Sequence, residues 1–479
     1  MQTDLAIPSL AEPLATPAGP MGIDSAATAA GEAVQSASRL DLFHSYIGVF
    51  VVAFLVTLLT TPLMRWLAIK NDIVDRPSDP RKIHRRPVAY LGGVAVFLGI
   101  MAGIFVSYLL PALGDWGKAF FGFHETRFLL PDAGLPHPVP LSIMLGLTII
   151  MLLGLIDDVV GTIPRMKIAG MFVAAAALAA EDVGVRVAEG VLAPTLGRLL
   201  NNESLTWMIG LPFDVPLLGT SISIDLIYIA GTAVIAVFVL GACNASNLID
   251  GLDGLLTGTT AIAGIGLLIV ALSLAVVDDG PRDAQRIVLC MALVGACLGF
   301  LPHNFNPATI FLGDCGSLML GYATIVIVLT LGDTGQTQLV IAGLIIYAIP
   351  IMDTVLAIIR RKLAGQSISA ADDQHLHHML RRWLGVKGAV LALYGIGFCF
   401  AAIGVAMTIW KARLTYALAL IFASYIIVTA VKIARRAQLE AAVDKRHRPA
   451  TLLPDEPTSS PAPESGEDTG DTPNELETV

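Results

Sequence analysis

Charge is scarce in this chain. Asp, Glu, Lys and Arg make up 14% of its residues, where a soluble domain carries about a quarter. With 55% hydrophobic residues and a mean hydropathy of +0.73, the composition excludes an ordinary soluble globular fold. Short alternating strands of the kind that build a membrane barrel are also lacking. The apolar runs are long and unbroken, so their backbone must be satisfied within helices. Cysteines are few: Cys243, Cys290, Cys297, Cys315 and Cys399 are the five in 479 residues. They lack the close paired spacing of a metal knuckle, and all five read as small buried residues. The first residues lack a basic start and an apolar core segment, so no cleavable signal peptide is expected there. Internal repeats of the kind that mark many transporters are not visible.

What the chain does have is a series of apolar stretches able to cross a hydrocarbon core about 30 Å thick. They fall near 46–69, 91–111, 139–156, 166–180, 222–242, 257–276, 286–303, 317–331, 338–359, 388–409 and 415–433. The expected fold is an all-α polytopic membrane protein with about eleven transmembrane helices. Residues 1–45, rich in Pro, Ala and Ser, form a disordered non-cytoplasmic leader. Residues 46–433 form the transmembrane domain, interrupted by a non-cytoplasmic excursion at 181–221 whose Gly, Pro and alternating stretches allow a small hairpin. Residues 434–479 form a cytoplasmic tail, basic and then acidic, and disordered by composition. The net charge of -9 comes largely from that tail, since 449–479 hold eight carboxylates and no Lys or Arg.

Basic residues close to membrane spans stay cytoplasmic. Lys70, Arg76, Arg81, Lys82, Arg85 and Arg86 cluster in one loop, Arg360, Arg361, Lys362, Arg381, Arg382 and Lys387 in another, and six more basic residues lie between 432 and 448. With eleven spans these loops fall on one side, which places the leader outside and the C-terminus inside. That orientation puts every polar island of the chain on the cytoplasmic face, although the islands were not used to set it.

There are four such islands and one basic loop. Asn244-Ala-Ser-Asn-Leu-Ile-Asp-Gly-Leu-Asp-Gly-Leu255 places Asn244, Asn247, Asp250 and Asp253 at three-residue steps, each a turn of about 300° on a helix. Gly251 and Gly254 break that helix into a tight loop whose polar heads converge on something anionic, metallic or sugar-like. Asp157-Asp158 ends an apolar run. Two adjacent carboxylates beside hydrocarbon repel one another, and a hard divalent cation would neutralise them; Mg²⁺ accepts one or two carboxylates together with water and phosphate oxygens. Phe311-Leu-Gly-Asp-Cys-Gly-Ser317 adds Asp314 between small residues that allow a phosphate to approach the backbone. Ser317 can donate to an anionic oxygen there, and Asn304 upstream suits a base or sugar. His375-Leu-His-His378 lacks the ligand set of a zinc site, so phosphate contact or proton handling is the better reading. In the loop Asp75-Arg-Pro-Ser-Asp-Pro-Arg-Lys-Ile-His-Arg-Arg-Pro87, Lys82 and His84 are the candidates to grip a diphosphate or a lipid headgroup. Each motif alone is also compatible with a capped helix end or a solvated turn. Together they suggest phosphoryl transfer between a nucleotide diphosphate and a lipid phosphate.

In order and in sidedness the islands resemble those of the polyprenyl-phosphate N-acetylhexosamine-1-phosphate transferases, over about residues 45–435. The family's aspartate pair looks like Asp157-Asp158, its Asn-x-x-Asn-x-x-Asp-Gly motif like 244–251, its Gly-Asp-x-Gly-Ser motif like 313–317, and its His-x-His-His motif like 375–378. The resemblance implies transfer of a sugar 1-phosphate from a UDP-sugar to undecaprenyl phosphate at the bacterial cytoplasmic membrane, on loops facing the cytoplasm, with release of UMP. It implies Mg²⁺, with Mn²⁺ as a substitute, held mainly by Asp314 with Asp157 and Asp158 beside the reacting phosphates. Asn244, Asn247, Asp250 and Asp253 would line the nucleotide-sugar site, with Asn304 on the uracil side, Ser317 contacting substrate, and His375, His377 and His378 on the diphosphate or sugar. The surrounding membrane lipid is a partner, nucleic acid is not, and the resemblance is compatible with a homodimer.

The His-Leu-His-His form after Asp-Asp-Gln looks like the branch that uses UDP-GlcNAc to start O-antigen, teichoic acid or related glycans. The alternatives are the phospho-MurNAc-pentapeptide transferase of peptidoglycan synthesis, a transferase of another UDP-hexosamine, and, from a different class, a transporter. Ala89-Tyr90 departs from the Pro-Arg often found before Leu-Gly-Gly, and the excursion and the acidic tail lie outside the shared pattern. Two mechanisms stay open on the sequence: direct attack by the lipid phosphate with an Asp such as Asp157 as base, or a covalent phospho-sugar intermediate on an Asp.

Overall fold

An unpaired backbone amide is too costly in hydrocarbon to leave unsatisfied, so the apolar runs fold as helices. The computed structural model describes residues 39–77, 87–109, 139–187, 190, 208–214, 221–277, 282–332, 336–363, 365 and 375–409, with scattered positions between 414 and 435. The helices are α1 (Arg39–Lys70), α2 (Gly92–Leu109), α3 (Leu141–Val160), α4 (Pro164–Ala180), α5 (Leu226–Ile249), α6 (Leu255–Val277), α7 (Asp283–Asn304), α8 (Gly313–Thr330), α9 (Thr337–Ile346), α10 (Ala348–Leu363) and α11 (Leu376–Ile409). Two small antiparallel pairs accompany them. β1 (Val74–Asp75) pairs with β2 (Val88–Ala89), and β3 (Met208–Asp214) pairs with β4 (Ser221–Asp225) as the hairpin ending the excursion before α5. The fold class is the all-α polytopic membrane protein expected.

Among the described residues eight helices are long and apolar enough to cross a membrane, or nine if one bent pair counts as a single span. The helix α4 has 17 residues and falls just short of that length. The expected span at 415–433 lies largely outside the described residues. One expected span needs correction. The stretch 338–359 is not one straight span: α9 and α10 meet at 83°. Pro350 is the physical cause, because it has no N–H for the carbonyl of Ile346 and its ring crowds that carbonyl. The helix therefore stops at Ile346 and restarts at Ala348 with Pro350 in its first turn. The expected span at 388–409 matches the part of α11 after Gly385. Gly385, with φ 70° and ψ 179°, breaks α11 and leaves a separate helical stretch 376–384 that carries His377 and His378. Of the cysteines, four are buried and Cys399 is exposed, so the expectation of five buried thiols fails at that position.

The most enclosed spans are α7 and α8. Helix α8 packs against α2, α3 and α5, and α7 against α1, α2 and α6. The start of α8 is also stitched to the chain entering α2. Ala89 bridges Ile310, Phe311 N donates to Ala89 O at 2.9 Å, and Gly92 N and Gly93 N donate to Phe311 O and Leu312 O at 3.0 and 2.9 Å. This contact needs glycine. A Cβ on Gly93 would lie 2.1 Å from Gly316 N, and no rotamer change relieves a clash with backbone.

Gly93→Ala is therefore expected to destabilise the protein by about 1–3 kcal/mol, the usual cost of overpacking, read as a lower melting temperature in detergent. Gly395→Ala on α11, where a Cβ meets nothing within 4 Å, is the matched control and should not lower it. Equal melting temperatures for both variants would mean that the α2–α8 contact is looser than described.

Candidate active site

Two helix ends meet at the centre of the polar region. The last turn of α3 carries Asp157 and Asp158, and α8 begins at Gly313. The N–H groups of a helix's first turn have no intrahelical partner and carry partial positive charge. Asp158 takes up two of them: Asp314 N donates to Oδ1 at 2.8 Å and Cys315 N to Oδ2 at 3.0 Å. The close approach requires Gly313, which has φ +69° and where a Cβ would lie 2.4 Å from Asp158 Oδ2. Asp157 turns the other way. Thr162 N donates to its Oδ1 at 2.9 Å, the Thr162 hydroxyl donates to the same oxygen, and Lys167 Nζ lies 2.7 Å from Oδ2.

Lys167, in the first turns of α4, also contacts Asp314 Oδ2. One ammonium thus stands between two carboxylates. Asn247, near the end of α5, completes the cluster by donating to Asp314 Oδ1 at 2.8 Å and to Ser317 Oγ at 3.0 Å.

The loops after α5 and α7 form a second wall. Asp253 Oδ2 accepts from Asn306 Nδ2 at 2.8 Å and from Ala308 N at 3.0 Å. Asn304 is buried. Its Oδ1 accepts from Gly254 N at 3.2 Å and Thr257 Oγ1 at 2.9 Å, and its Nδ2 donates to Ile310 O at 3.1 Å. Between the walls lies a cleft of about 760 Å³. Its lining draws on all four islands: Asp158; Asn247, Asp250 and Asp253; Asn304, Asp314 and Ser317; and His378. Asp75 of β1 and Tyr90, the residue after β2, line it too, and burial raises the Tyr90 phenol above its ordinary value, with the charge of Asp75 adding to the effect.

The remaining expected residues sit elsewhere. His375 and His377 are buried behind the cleft. His375 Nδ1 lies 2.9 Å from Asp353 Oδ2, and His377 Nδ1 lies 3.6 Å from the same oxygen. Asn244 is exposed and does not line the cleft; its amide donates to Leu240 O at 2.8 Å and meets Met171 Sδ at 3.6 Å. Lys82 and His84 lie outside the described residues. Among the described residues no three carboxylate, imidazole or thiol groups converge into a metal cage. The oxygens turned toward a common positive charge are those of Asp157 and Asp314, while Asp158 is committed to backbone. Two contributors escaped the sequence reading. Lys167 stands in the sequence as an ordinary basic residue flanking a span, and Asp353 lies inside an apolar run, where an ionisable residue is itself a functional signal.

The sequence pattern described as Glycosyl transferase family 4 matches residues 140–332, which hold three of the four islands. A Bacillus subtilis (strain 168) protein named "Probable undecaprenyl-phosphate N-acetylglucosaminyl 1-phosphate transferase" is 32% identical over 383 residues, 78% of this chain and 89% of that protein. The chain belongs to this glycosyl transferase family. A decaprenyl-phosphate N-acetylglucosaminephosphotransferase of Mycolicibacterium smegmatis is 30% identical, covering 81% of this chain and 88% of its own length. A phospho-N-acetylmuramoyl-pentapeptide-transferase of Bacillus cytotoxicus is 35% identical but covers only 42% of this chain and 59% of its own. Within the family, likeness to the N-acetylglucosaminyl members therefore spans most of the chain, and likeness to the muramoyl member less than half.

Asp250, which follows the last turn of α5, carries the clearest electrostatic signature outside the spans. Desolvation, and then the charges of Asp314, Asp158 and Asp253, push its carboxyl from 3.8 up to about 8. A raised carboxyl value means that the folded protein holds this proton more tightly than the unfolded chain does. The stabilisation is complete below 3.8 and is lost as pH rises to about 8. In cation-free protein the melting temperature of the wild type, relative to Asp250→Asn, is expected to fall across that window. A difference independent of pH would show that Asp250 ionises normally.

Proposed function

We propose that the chain transfers N-acetylglucosamine 1-phosphate from UDP-GlcNAc to undecaprenyl phosphate, releasing UMP, on the cytoplasmic face of a bacterial membrane. The observation that carries the reading is the pairing of Asp157 and Asp314 on one lysine, with Asp314 in the wall of a cleft lined from all four islands. The relatives supply the sugar and the lipid by analogy. Basic residues adjoining the cleft-forming segments, such as Arg76, Arg360, Arg361 and Arg382, support the cytoplasmic orientation.

The donor set suits Mg²⁺, a hard cation that takes one or two carboxylates and completes its shell with water and phosphate oxygens. Asp157 and Asp314 would hold it through the oxygens that now face the mobile ammonium of Lys167, whereas the oxygens of Asp158 are tied to the backbone N–H groups that join α3 to α8. When bound, the cation neutralises the diphosphate and stabilises the departing UMP. The protein's own residues do the rest. Lys167 bridges two carboxylates held side by side and would add positive charge beside the transferred phosphoryl group. Asn247 orients Asp314, and Asp158 and Asp253 hold the two walls in register. His378 lines the cleft and is placed to contact the diphosphate or sugar.

A single displacement fits this arrangement better than a covalent intermediate. Every oxygen of Asp157, Asp158 and Asp314 accepts a hydrogen bond or an ion-pair contact, which lowers its nucleophilicity, whereas the lipid phosphate brings an oxygen of its own. A phosphate monoester, with a second pKa of about 6, is largely dianionic at pH 7 and needs no strong base to attack. Its oxygen forms a bond to the sugar-linked phosphorus, the bridging oxygen–phosphorus bond breaks, and the electron pair leaves with UMP.

Membranes containing the protein are expected to move radiolabel from UDP-GlcNAc to undecaprenyl phosphate with release of UMP, and to stop when Mg²⁺ is chelated. Transfer only from the UDP-MurNAc-pentapeptide would shift the donor, and transfer from no UDP-sugar would end the reading. Asp314→Asn should abolish turnover at every Mg²⁺ concentration. Lys167→Met should lower kcat by roughly 10²- to 10³-fold, the scale of losing one charge-stabilising donor; near-normal turnover of either variant would remove that residue from the chemistry.

A further inference from the structure

An ionised carboxyl inside an apolar helix is costly and is rarely kept without a task. Asp353 is 1% exposed on α10, does not line the cleft, and is used by none of the chemistry above. All of its described contacts go to the histidine segment. Oδ2 meets His375 Nδ1 at 2.9 Å and His377 Nδ1 at 3.6 Å, and Oδ1 accepts from Leu376 N at 2.8 Å. Leu376 opens α11, where N–H groups lack partners within the helix. One carboxylate therefore holds both the start of the stretch 376–384 and the imidazole that precedes it.

From there the cleft is two rings away. The rings of His375 and His377 stack at 5.5 Å between centroids and 18° between planes, and the ring of His377 lies 4.2 Å from that of His378. His377 also abuts the loop after α5, since a Cβ on Gly251 would fall 2.5 Å from its Nε2. The break at Gly385 interrupts the helical backbone between 376–384 and the span that follows. The placement of the stretch therefore relies on its anchor at the front.

We infer that Asp353 is a positioning residue for the transfer reaction, fixing His378 in the cleft through His375 and the first turn of α11. This rests on the transferase reading, and the test separates the two. Asp353→Asn keeps the shape and one oxygen acceptor for Leu376 N, but can offer His375 an amide in place of a charged acceptor. Purified wild type, Asp353→Asn, His378→Ala and the double variant are compared for kcat and KM with UDP-GlcNAc and undecaprenyl phosphate. Asp353→Asn is expected to lower kcat about 10- to 100-fold, the range for losing an orienting partner of a working imidazole, with KM for the nucleotide sugar within about threefold. In the His378→Ala background the same change should cost less than about threefold, because the group it positions is gone. Wild-type kcat in Asp353→Asn, or an equal loss in both backgrounds, would overturn the inference. If the asparagine variant does not fold, His375→Asn takes its place, with the same loss expected and wild-type kcat again decisive against it. Histidine-labelled protein supplies a readout independent of turnover. The His378 ring resonance, assigned by its loss in His378→Ala, should move in Asp353→Asn; an unmoved resonance overturns the positioning role even if the wild type transfers no sugar phosphate and the transferase reading falls.

Discussion

Holding several carboxylates together beside hydrocarbon is the constraint on which the rest of this molecule depends. Two like charges 4 Å apart repel by about 4 kcal/mol at the effective dielectric of a protein surface. The structure offsets that repulsion in two ways. Asp158 is spread over two backbone N–H groups at the start of α8, and Asp157 and Asp314 share the ammonium of Lys167. The first device welds α3 to α8. The second requires α4 to lie alongside, so the arrangement of three helices follows from the charges as much as from apolar packing.

The small residues near the site follow from the same constraint. Gly313 and Gly154 let α3 and α8 approach until carboxylate meets helix terminus; a Cβ on Gly154 would lie 2.4 Å from Cys315 N. Opposite them, Asp253 and Asn304 spend their hydrogen bonds on protein backbone and side chains, which fixes the loop 304–308 against the loop after α5. A polar residue in a motif can thus act as a wall tie while standing at the cleft. Distinguishing ties from working groups depends on which atoms are already satisfied, and a linear pattern does not carry that information.

Much of the architecture was legible in the sequence because hydrocarbon leaves few options: long apolar runs become helices, and polar breaks mark their ends. The four islands were legible for the same reason, since charge stands out where charge is scarce. The bend between α9 and α10 was less so. Pro350 sits inside a continuous apolar run, and only its position relative to Ile346 tells that the helix must stop there. Lys167 resembled any basic residue flanking a span until folding placed it between carboxylates ten and 147 positions away. Asn244 keeps the spacing of its motif but turns to its own helix and Met171, because a three-residue step carries successive side chains around the helix and away from a single cleft.

The bend and the buried aspartate belong together. A helix running straight through 337–363 would carry residues beyond Tyr347 onward along the axis of α9. The 83° turn instead sends α10 across, packed against α5 and α11, which brings Asp353 beneath the first turn of α11. Pro350 creates the turn by denying one hydrogen bond, and three residues later the same helix supplies the acceptor that the incoming histidine segment needs. The fourth island, the one farthest in sequence from the others, reaches the cleft because a span is broken at that point. A backbone defect that would be costly in a straight helix thus becomes the means by which His378 joins residues from the other three islands.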